Sequence, residues 1–272
     1  MENDRIIALL TDFGTKDYFV GAMKGAILSV NRDAKVVDIT HEILPQNILS
    51  ASFTLRACYK DFPRGTIFVA VVDPEVGSER RAILVESEDY FFVAPDNGIL
   101  SFVFENSALA HAPASASTIR VFELTNTQFF AANVSATFHG RDLFAPVAAH
   151  LSNGVNPNDF GREISDFKRF EEMKPKRISK DETQAEIIHI DRFGNLITNL
   201  KQTDLPENFI LEIGGKRIER LLPFYAEAEK SEVFMIFGSA NFLEIAAFQD
   251  SSQKLLNAEI GQKIAVKRIT KP

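Results

Sequence analysis

The sequence predicts an α/β fold in two domains: an amino-terminal α/β sandwich-like domain with a largely parallel or mixed sheet, then a smaller antiparallel β-barrel or sandwich. In the first part, short runs of apolar residues alternate with helix-length segments, which is typical of strands covered on both faces. In the last part, strand-like segments follow one another with only turns between them. Charged residues dominate between the two parts. For this chain of 272 residues we predict an α/β domain over residues 1–165, a charged linker over 166–184 and a β-rich domain over 185–272.

The elements of the first domain follow from its hydrophobic patterning. A buried strand is predicted at residues 6–10, and Asp17 stands where it can cap a following helix. Further along we predict a strand at 36–39, a helix at 46–59, a strand at 66–72, a hairpin of strands at 82–86 and 90–94, and a helix marked by Leu143, Val147 and Leu151 that ends at Asn153-Gly154.

The second domain is predicted to consist mainly of strands. Gly214-Gly215 has the composition of a two-residue hairpin turn. The predicted strands cover residues 186–190, 209–213, 233–237, 242–247 and 263–269.

Composition restricts the function. The formal net charge is −7 and no long Lys/Arg run occurs, so nucleic acid and anionic membrane surfaces are poor partners, whereas a neutral or cationic small molecule fits better. Cys58 is the only cysteine, which excludes an internal disulfide and a multi-cysteine zinc site. The apolar run at residues 6–10 is too short for a signal peptide or a membrane span. We therefore expect a cytoplasmic protein.

Polar turns follow several of the predicted strands. They are TDFG at residues 11–14, DPEVG at 73–77 and PDNG at 95–98. A fourth polar turn, TFHGRD at 137–142, stands just before an apolar run of helical character. Loops at the carboxyl ends of strands in an α/β sheet converge on one crevice, so these turns are candidates for a shared site.

Three carboxylates in these turns have a functional and a structural interpretation. Asp12 is suited to binding a sugar diol, with helix capping as the equal alternative. Capping explains Asp17 better than a ligand role does. Asp73 precedes Arg80 by seven residues, which indicates either a surface ion pair or a functional pair at the end of a buried strand.

His139 is the histidine whose surroundings most favour catalysis. It shares its turn with Gly140, Arg141 and Asp142. A lone histidine is more often structural, Asp142 is also a candidate cap for a helix beginning at Leu143, and Arg141 is a candidate for a structural ion pair. The sequence leaves these alternatives open.

In the second domain, Asp191 opens the segment DRFGN. The amide of Asn195 suits a purine edge and Phe193 suits its face, although an Asx-Gly turn with a core phenylalanine explains the same residues. Ser239 and Glu244 are weak candidates alone, and Tyr225 is by default a core or interface residue.

Six motifs in order resemble the S-adenosylmethionine (SAM) hydrolases, also called SAM hydroxide adenosyltransferases, which are relatives of the bacterial fluorinase and chlorinase. They are TDFG at 11–14, VVDPEVGSERR at 71–81, PDNG at 95–98, TFHGRD at 137–142, DRFGNLITN at 191–199 and GSANFLEIA at 238–246. The resemblance implies an α/β domain followed by a β-rich domain. It also implies a homotrimer with SAM bound between one subunit's first domain and a neighbour's second.

The resemblance assigns roles by motif. It implies that Asp73, Arg80 and His139 position and activate water. We interpret Arg141 and Asp142 as supporting residues. Asp12 matches the ribose-binding aspartate. The other candidate substrate-binding residues are Asp17, Asp191, Phe193, Asn195, Tyr225, Ser239 and Glu244.

The implied reaction is hydrolysis of SAM to adenosine and L-methionine by attack of water on the ribose C5′, without a cofactor or metal. Two departures from the family pattern stand out: Glu75 replaces a glycine of a proline-glycine-valine-glycine turn, and QDSS at 249–252 replaces a glycine-rich end. A catalytically silent adenosine or SAM-binding module is the alternative. A less favoured one is a metal-dependent phosphohydrolase with ligands drawn from Asp12, Asp73, Asp96, Asn97, His139 and Asp142.

Overall fold

The computed structural model describes residues 5–104, 119–170 and 174–269. The chain forms two compact units, Met1–Phe170 and Glu171–Pro272. The division falls inside the segment predicted as a linker, of which residues 171–173 lie outside the described part of the chain. The different tasks assigned to the two domains stay a prediction.

A mixed sheet forms the centre of the first unit. Its strands are β1 (Ile6–Thr11), β2 (Lys35–Thr40), β3 (Ile67–Val71), β4 (Ala82–Glu86), β5 (Phe91–Pro95) and β6 (Arg120–Glu123). The spatial order is β2-β1-β3-β5-β4-β6. Strands β2, β1, β3 and β5 are parallel, whereas β4 is antiparallel to both β5 and β6. The predicted mixed sheet and hairpin are confirmed; β6 escaped prediction because it contains only two consecutive apolar residues, Val121 and Phe122.

Helices cover both faces of this sheet. Their bounds are α1 (Phe19–Val30), α2 (Ile48–Cys58), α3 (Ser101–Phe104) and α4 (Ala145–Ser152), and a π-helical turn, Gly140–Phe144, leads into α4. Ile7 and Leu9 pack with α1 and α4, whereas Ala8 and Leu10 pack with α2 and α3. Alternate residues of β1 therefore serve two separate apolar layers, as expected for a strand buried on both faces.

The capping role predicted for Asp17 is wrong. Tyr18 occupies the N-cap position of α1 and no side chain caps this helix, while Asp17 is exposed. The reason is that α1 begins at Phe19, so Asp17 lies one residue before the position from which a short carboxylate caps. Asn47 does cap α2, and its side chain accepts a hydrogen bond from Ser50 N at 2.9 Å.

An antiparallel sheet of eight strands forms the second unit. The strands are β7 (Lys176–Arg177), β8 (Glu182–Ile190), β9 (Leu196–Thr198), β10 (Phe209–Ile213), β11 (Lys216–Ile218), β12 (Val233–Phe237), β13 (Leu243–Ala247) and β14 (Lys263–Arg268). The order is β11-β10-β14-β8-β9-β13-β12, with β7 paired to β8. A short helix, α5 (Ser252–Leu256), follows β13.

The sheet curls into a nearly closed barrel. Met235 N donates to Arg220 O at 2.8 Å and Leu222 N donates to Met235 O at 2.9 Å, so the segment after β11 is bonded to β12 at the other end of the strand order. Gly214 and Gly215 have φ values of 55° and 77°, which fits the predicted hairpin turn between β10 and β11. The predicted antiparallel barrel is confirmed.

Within the described ranges, no helix combines the length and the apolar character needed to cross a membrane.

Candidate active site

Asp73, Arg80 and His139, the three predicted catalytic residues, lie in one hydrogen-bonded cluster. Arg80 Nε donates to Asp73 Oδ1 at 3.1 Å, and Arg80 Nη2 donates to Asp73 Oδ2. The same Nη2 lies 3.1 Å from His139 Nδ1. The side chains of Asp73 and Arg80 are only 4% and 2% exposed, so this is not the surface ion pair that the sequence left open. His139 is half-buried.

Gly77 allows the loop after β3 to approach the loop before His139. Its φ is +81°, and a Cβ atom at this position would lie 2.2 Å from Ala136 O. Only glycine fits both conditions without a shift of the backbone. The local sequence therefore brings Arg80 and His139, which are distant along the chain, into contact.

The PDNG turn supports Arg80. Arg80 Nη1 donates to Arg81 O at 2.8 Å, and Arg81 Nη2 donates to Asp96 Oδ2 at 2.8 Å. Asn97 Nδ2 donates to Val72 O at 2.8 Å, at the end of the strand that precedes Asp73. Both Asp96 and Asn97 are buried. The sequence marked this turn as a candidate, and the structure places it beside the cluster of Asp73, Arg80 and His139 as a support.

Burial and neighbouring charges set the protonation of the cluster. Burial lowers the pKa of His139, the Arg80 charge lowers it further, and Asp73 and Asp142 oppose these effects. Burial raises the pKa of Asp73, against the lowering effect of Arg80. Because a guanidinium only donates, His139 Nδ1 accepts from Arg80, and the proton of the neutral imidazole lies on Nε2.

Arg141 and Asp142 support the His139 turn. Arg141 Nε donates to Asp142 Oδ1 at 2.6 Å, and Ser135 N donates to Asp142 Oδ2 at 2.9 Å. The helical path already begins at Gly140, so a cap at Asp142 for a helix beginning at Leu143 is excluded. Such π-helical turns are frequent at functional sites.

Asp12 lies beside this cluster in the first unit. Thr11 and Val71 are register partners on the parallel strands β1 and β3, so Asp12 and Asp73 follow adjoining strand ends. Gln46 N donates to Asp12 Oδ2 at 2.8 Å, whereas Oδ1 has no hydrogen-bond partner among the described residues. Asp12 caps no helix. It therefore retains an oxygen with which to accept a ligand hydroxyl.

The candidate residues of the second unit line one cavity of about 800 Å³. Asp191 Oδ1 accepts from Phe193 N at 2.9 Å and from Asn195 N at 2.8 Å, which is the Asx turn that the sequence allowed. Phe193 is 77% exposed, so its interpretation as a core residue is wrong. The six candidates on the cavity wall are Asp191, Phe193, Asn195, Tyr225, Ser239 and Glu244.

Glu244 is the carboxylate most perturbed in this cavity. Burial raises its pKa to about 7, with a contribution from Asp191 and against a hydrogen bond from Tyr225. Asn195 Nδ2 donates to Tyr225 OH at 3.3 Å. A Cβ atom on Gly238 would lie 1.7 Å from Glu244 Oε1, so glycine is required for the carboxylate to take this position. The wall is therefore polar at Asn195, Tyr225 and Glu244, and aromatic at Phe193.

Sequence reasoning missed several other residues of the wall. Phe237 and Phe248 supply further aromatic surface. They were missed because they alternate with core residues, as residues of an ordinary strand do. Gln249 and Asp250 also line the cavity. They belong to the segment 249–252, whose departure from the family pattern was the one sign in the sequence that they could be near the ligand.

Comparison with known proteins places the chain in a family. Residues 7–161 match the SAM hydroxide adenosyltransferase N-terminal domain, and residues 185–265 match the C-terminal domain of the same family. The chain belongs to the SAM hydroxide adenosyltransferase family.

Named relatives and a solved structure agree with this assignment. An (R)-S-adenosyl-L-methionine hydrolase from Methanocaldococcus jannaschii is 36% identical over 96% of this chain and 95% of its own length. A fluorinase from Actinoplanes sp. is 30% identical over 74% of this chain and 73% of its own. The crystal structure of an uncharacterized conserved protein from Thermotoga maritima has a TM-score of 0.86 and 33% identity, over 97% of this chain and 100% of that one.

The two departures from the usual pattern of SAM hydroxide adenosyltransferases are accommodated locally. Glu75 has no positive φ, and its exposed side chain pairs with Lys168 Nζ at 3.3 Å. In the segment 249–252, Ser252 Oγ lies 2.6 Å from Gly194 O and 2.7 Å from Ile245 O, so its single hydroxyl proton is shared between these two carbonyl oxygens. The segment thereby anchors the turn that carries Phe193 and Asn195.

Several residues of the hypothetical metal site are already paired. Asp96 is bonded to Arg81, and Asp142 to Arg141. In the part of the chain that the structure describes, no three His, Cys, Asp or Glu side chains gather to hold a metal ion. These side chains fit ion pairs better than a shared metal site.

Proposed function

We propose that this protein hydrolyses S-adenosyl-L-methionine to adenosine and L-methionine. The observation that carries the proposal is the buried Asp73–Arg80 pair in contact with His139. It occurs in a chain whose full-length relative in Methanocaldococcus jannaschii is named an (R)-S-adenosyl-L-methionine hydrolase.

In the proposed reaction, the oxygen of a water molecule attacks the ribose C5′. The C5′–S bond breaks, its electron pair passes to sulfur, and methionine leaves as a neutral thioether. The sulfonium is already an activated leaving group, so the protein has chiefly to align and desolvate the nucleophile.

The Arg80 charge alone does not suffice to generate hydroxide. Lowering the pKa of water from about 15.7 to about 7 amounts to roughly 12 kcal/mol at about 1.36 kcal/mol per unit. One neighbouring charge at an effective dielectric near 20 supplies about 4 kcal/mol. A proton acceptor must therefore act as attack proceeds.

We assign proton acceptance to Asp73. His139 Nδ1 already accepts from Arg80, so its Nε2–H is a donor that orients the water oxygen. Each Asp73 oxygen accepts from Arg80 but keeps a further lone pair. The raised pKa of this carboxyl makes it a stronger base than an ordinary aspartate.

Substrate binding is proposed from residues of both units. Asp12 Oδ1 would accept from the ribose hydroxyls. Asn195 and Tyr225 would meet the adenine edge and Phe193 its face, while Asp191, Ser239 and Glu244 complete the polar wall. Asp17 stays a substrate-binding prediction without a contact that supports it. The homotrimer, the site shared between subunits, the absence of a cofactor and the cytoplasmic location likewise remain predictions.

The test incubates purified protein with SAM and separates the products by chromatography. Parallel reactions use each sulfonium epimer of SAM separately, add chloride or fluoride, or follow thorough chelation of metal ions. Adenosine and methionine are expected in equal amounts in every reaction that contains an epimer the protein can hydrolyse. Tight binding without product would identify a silent binding module, a 5′-halo-adenosine would reassign the nucleophile, and loss of activity on chelation would favour the metal-dependent alternative.

A further inference from the structure

The loop after β2, residues 41–46, is interlocked with the TDFG turn. This loop belongs to none of the motifs assigned above, yet it lies against the carboxylate proposed to bind ribose. The contacts are Gly14 N to His41 O at 2.7 Å, Thr11 Oγ1 to His41 Nδ1 at 2.8 Å, Thr15 Oγ1 to Glu42 Oε1 at 3.0 Å and Gln46 N to Asp12 Oδ2 at 2.8 Å.

His41 is the buried centre of this contact, at 4% exposure. Its Nε2 lies 3.1 Å from Asp38 Oδ1, and Lys24 Nζ lies 2.7 Å from the other oxygen of Asp38. Nε2 makes no hydrogen bond to a described residue, but the negative charge of Asp38 beside it favours the tautomer with its proton there, so Nδ1 is left to accept from the Thr11 hydroxyl. Thr11 Oγ1 in turn accepts from Phe13 N at 3.2 Å.

This chain of contacts fixes the residues on both sides of Asp12. Thr11 is held through its hydroxyl and Phe13 through its amide. Gly14, with φ of +66°, is tied to the His41 carbonyl. The backbone around Asp12 is therefore restrained before a ligand arrives, which is the condition for preorganised recognition.

Gln46 supplies the last restraint at a conformational cost. Its φ is +66°, which is unfavourable for a residue other than glycine, and its N–H is directed at Asp12 Oδ2. One carboxylate oxygen is thus occupied by the loop and the other is left for a ligand. Strain of this kind persists only where surrounding contacts maintain it, and His41 provides such contacts at the other end of the loop.

We propose that His41 is a positioning residue for substrate, which acts by holding the TDFG turn so that Asp12 Oδ1 faces the ribose hydroxyls. The inference rests on the proposed function, because it takes adenosine as the group that Asp12 receives. Among the described residues, the polar contacts of His41 are with Thr11, Gly14 and Asp38 rather than with Asp73, Arg80 or His139. Its effect on the reaction passes through Asp12 alone.

The first test compares two substitutions of Thr11. Thr11→Val keeps the shape of a β-branched residue and removes the hydroxyl, whereas Thr11→Ser keeps the hydroxyl. Thr11→Val is expected to raise the adenosine Kd and the KM for SAM together by about tenfold, which corresponds to about 1.4 kcal/mol. Thr11→Ser is expected to stay within about twofold of the wild type. Equal affinities for Thr11→Val and the wild type would overturn the proposal.

A double-mutant cycle separates positioning from a general structural role. His41→Phe fills the same space without an acceptor for Thr11, and Asp12→Ala removes the carboxylate. His41→Phe is expected to weaken adenosine binding about tenfold in the wild type and not at all in Asp12→Ala, because the coupled residues act on one interaction. Equal weakening in both backgrounds would overturn the proposal.

Folding and function are controlled separately. His150→Ala alters another histidine of the first unit, packed at 5.1 Å against the Phe129 ring, and is expected to leave adenosine affinity unchanged. Thermal unfolding verifies that each variant is folded at the assay temperature. A folded wild type that neither binds adenosine nor hydrolyses SAM would overturn both proposals. If the wild type hydrolysed SAM but the effects of His41→Phe and Asp12→Ala on adenosine binding were additive, only the role of His41 would be overturned.

Discussion

Arg80 Nη2 lies 3.1 Å from His139 Nδ1, and this contact determines which nitrogen of the neutral imidazole carries the proton. An arginine has only donors, so Nδ1 is the acceptor and Nε2 carries the proton. The histidine in the most conspicuous turn of the sequence is therefore better suited to orient a nucleophile than to deprotonate it. Its carboxylate neighbour across Arg80, Asp73, is the better base.

This division of roles predicts unequal losses on substitution. Asp73→Asn is expected to lower kcat by about 10²–10⁴-fold, the usual contribution of a positioned general base. His139→Ala removes one oriented hydrogen bond and is expected to lower kcat by about tenfold. Single-turnover formation of adenosine measures both. A larger loss for His139→Ala would transfer the base to the imidazole, and full activity of that variant would remove His139 from the mechanism.

The acid side of the pH profile depends on the same contact. His139 must be neutral to accept from Arg80, and its pKa lies below its ordinary value of about 6.5. We therefore expect kcat to stay constant as pH is lowered to about 6.5, and to fall at lower pH as His139 and the proposed base Asp73 become protonated. Arg80→Gln removes one cause of that lowering, so the imidazole pKa, followed by NMR, should rise. An unchanged or lower value would contradict this assignment.

Glu244 predicts a pH dependence of substrate binding. Its pKa of about 7 means that the carboxyl becomes ionised as pH rises through neutrality. An ionised carboxylate attracts a cationic sulfonium, so KM for SAM is expected to fall, by at most about tenfold, from about pH 6 to about pH 8. Glu244→Gln should abolish this change. The exposed Glu227→Gln is the matched control and should retain it; a pH-independent KM in the wild type would refute the role.

The sequence indicated which residues lie together in the structure more completely than it predicted the contacts between them. Asp73 and Arg80 were recognisable because a carboxylate at the end of a buried strand and an arginine seven residues later indicate a pair. The capping role of Asp17 was wrongly predicted because helix starts are uncertain by one or two residues, and a cap must lie at one defined position. Phe193 could be assigned to the cavity only by resemblance, since an aromatic residue in a turn is equally typical of a core.

Other contacts depend on residues that are far apart along the chain. The support of Arg80 by Arg81 O and Asp96 requires β4 and β5 to be adjacent, which a local pattern does not specify. The role of His41 likewise depends on the parallel pairing of β1 with β2. Such residues resemble ordinary strand and loop residues until the sheet order is known.

Gly77 connects the backbone of the loop to the chemistry. Gly77→Ala places a Cβ atom 2.2 Å from Ala136 O at a φ of +81°, so the loop must move away from the His139 segment. We expect a destabilisation of about 1–3 kcal/mol, together with a loss of kcat larger than the change in KM, because the contact between Arg80 and His139 is disturbed.

Denaturant unfolding and steady-state kinetics measure the two effects of Gly77→Ala. Gly25→Ala is the control, because Gly25 lies in α1 with nothing within 4 Å of its Cβ position. It should stabilise the protein by about 0.5–1 kcal/mol and leave kcat unchanged. If Gly77→Ala lost stability but kept the full kcat, the approach of the two loops would matter for folding alone, and the alignment of Arg80 with His139 would have to come from the Asp73 pair and the Arg81 carbonyl.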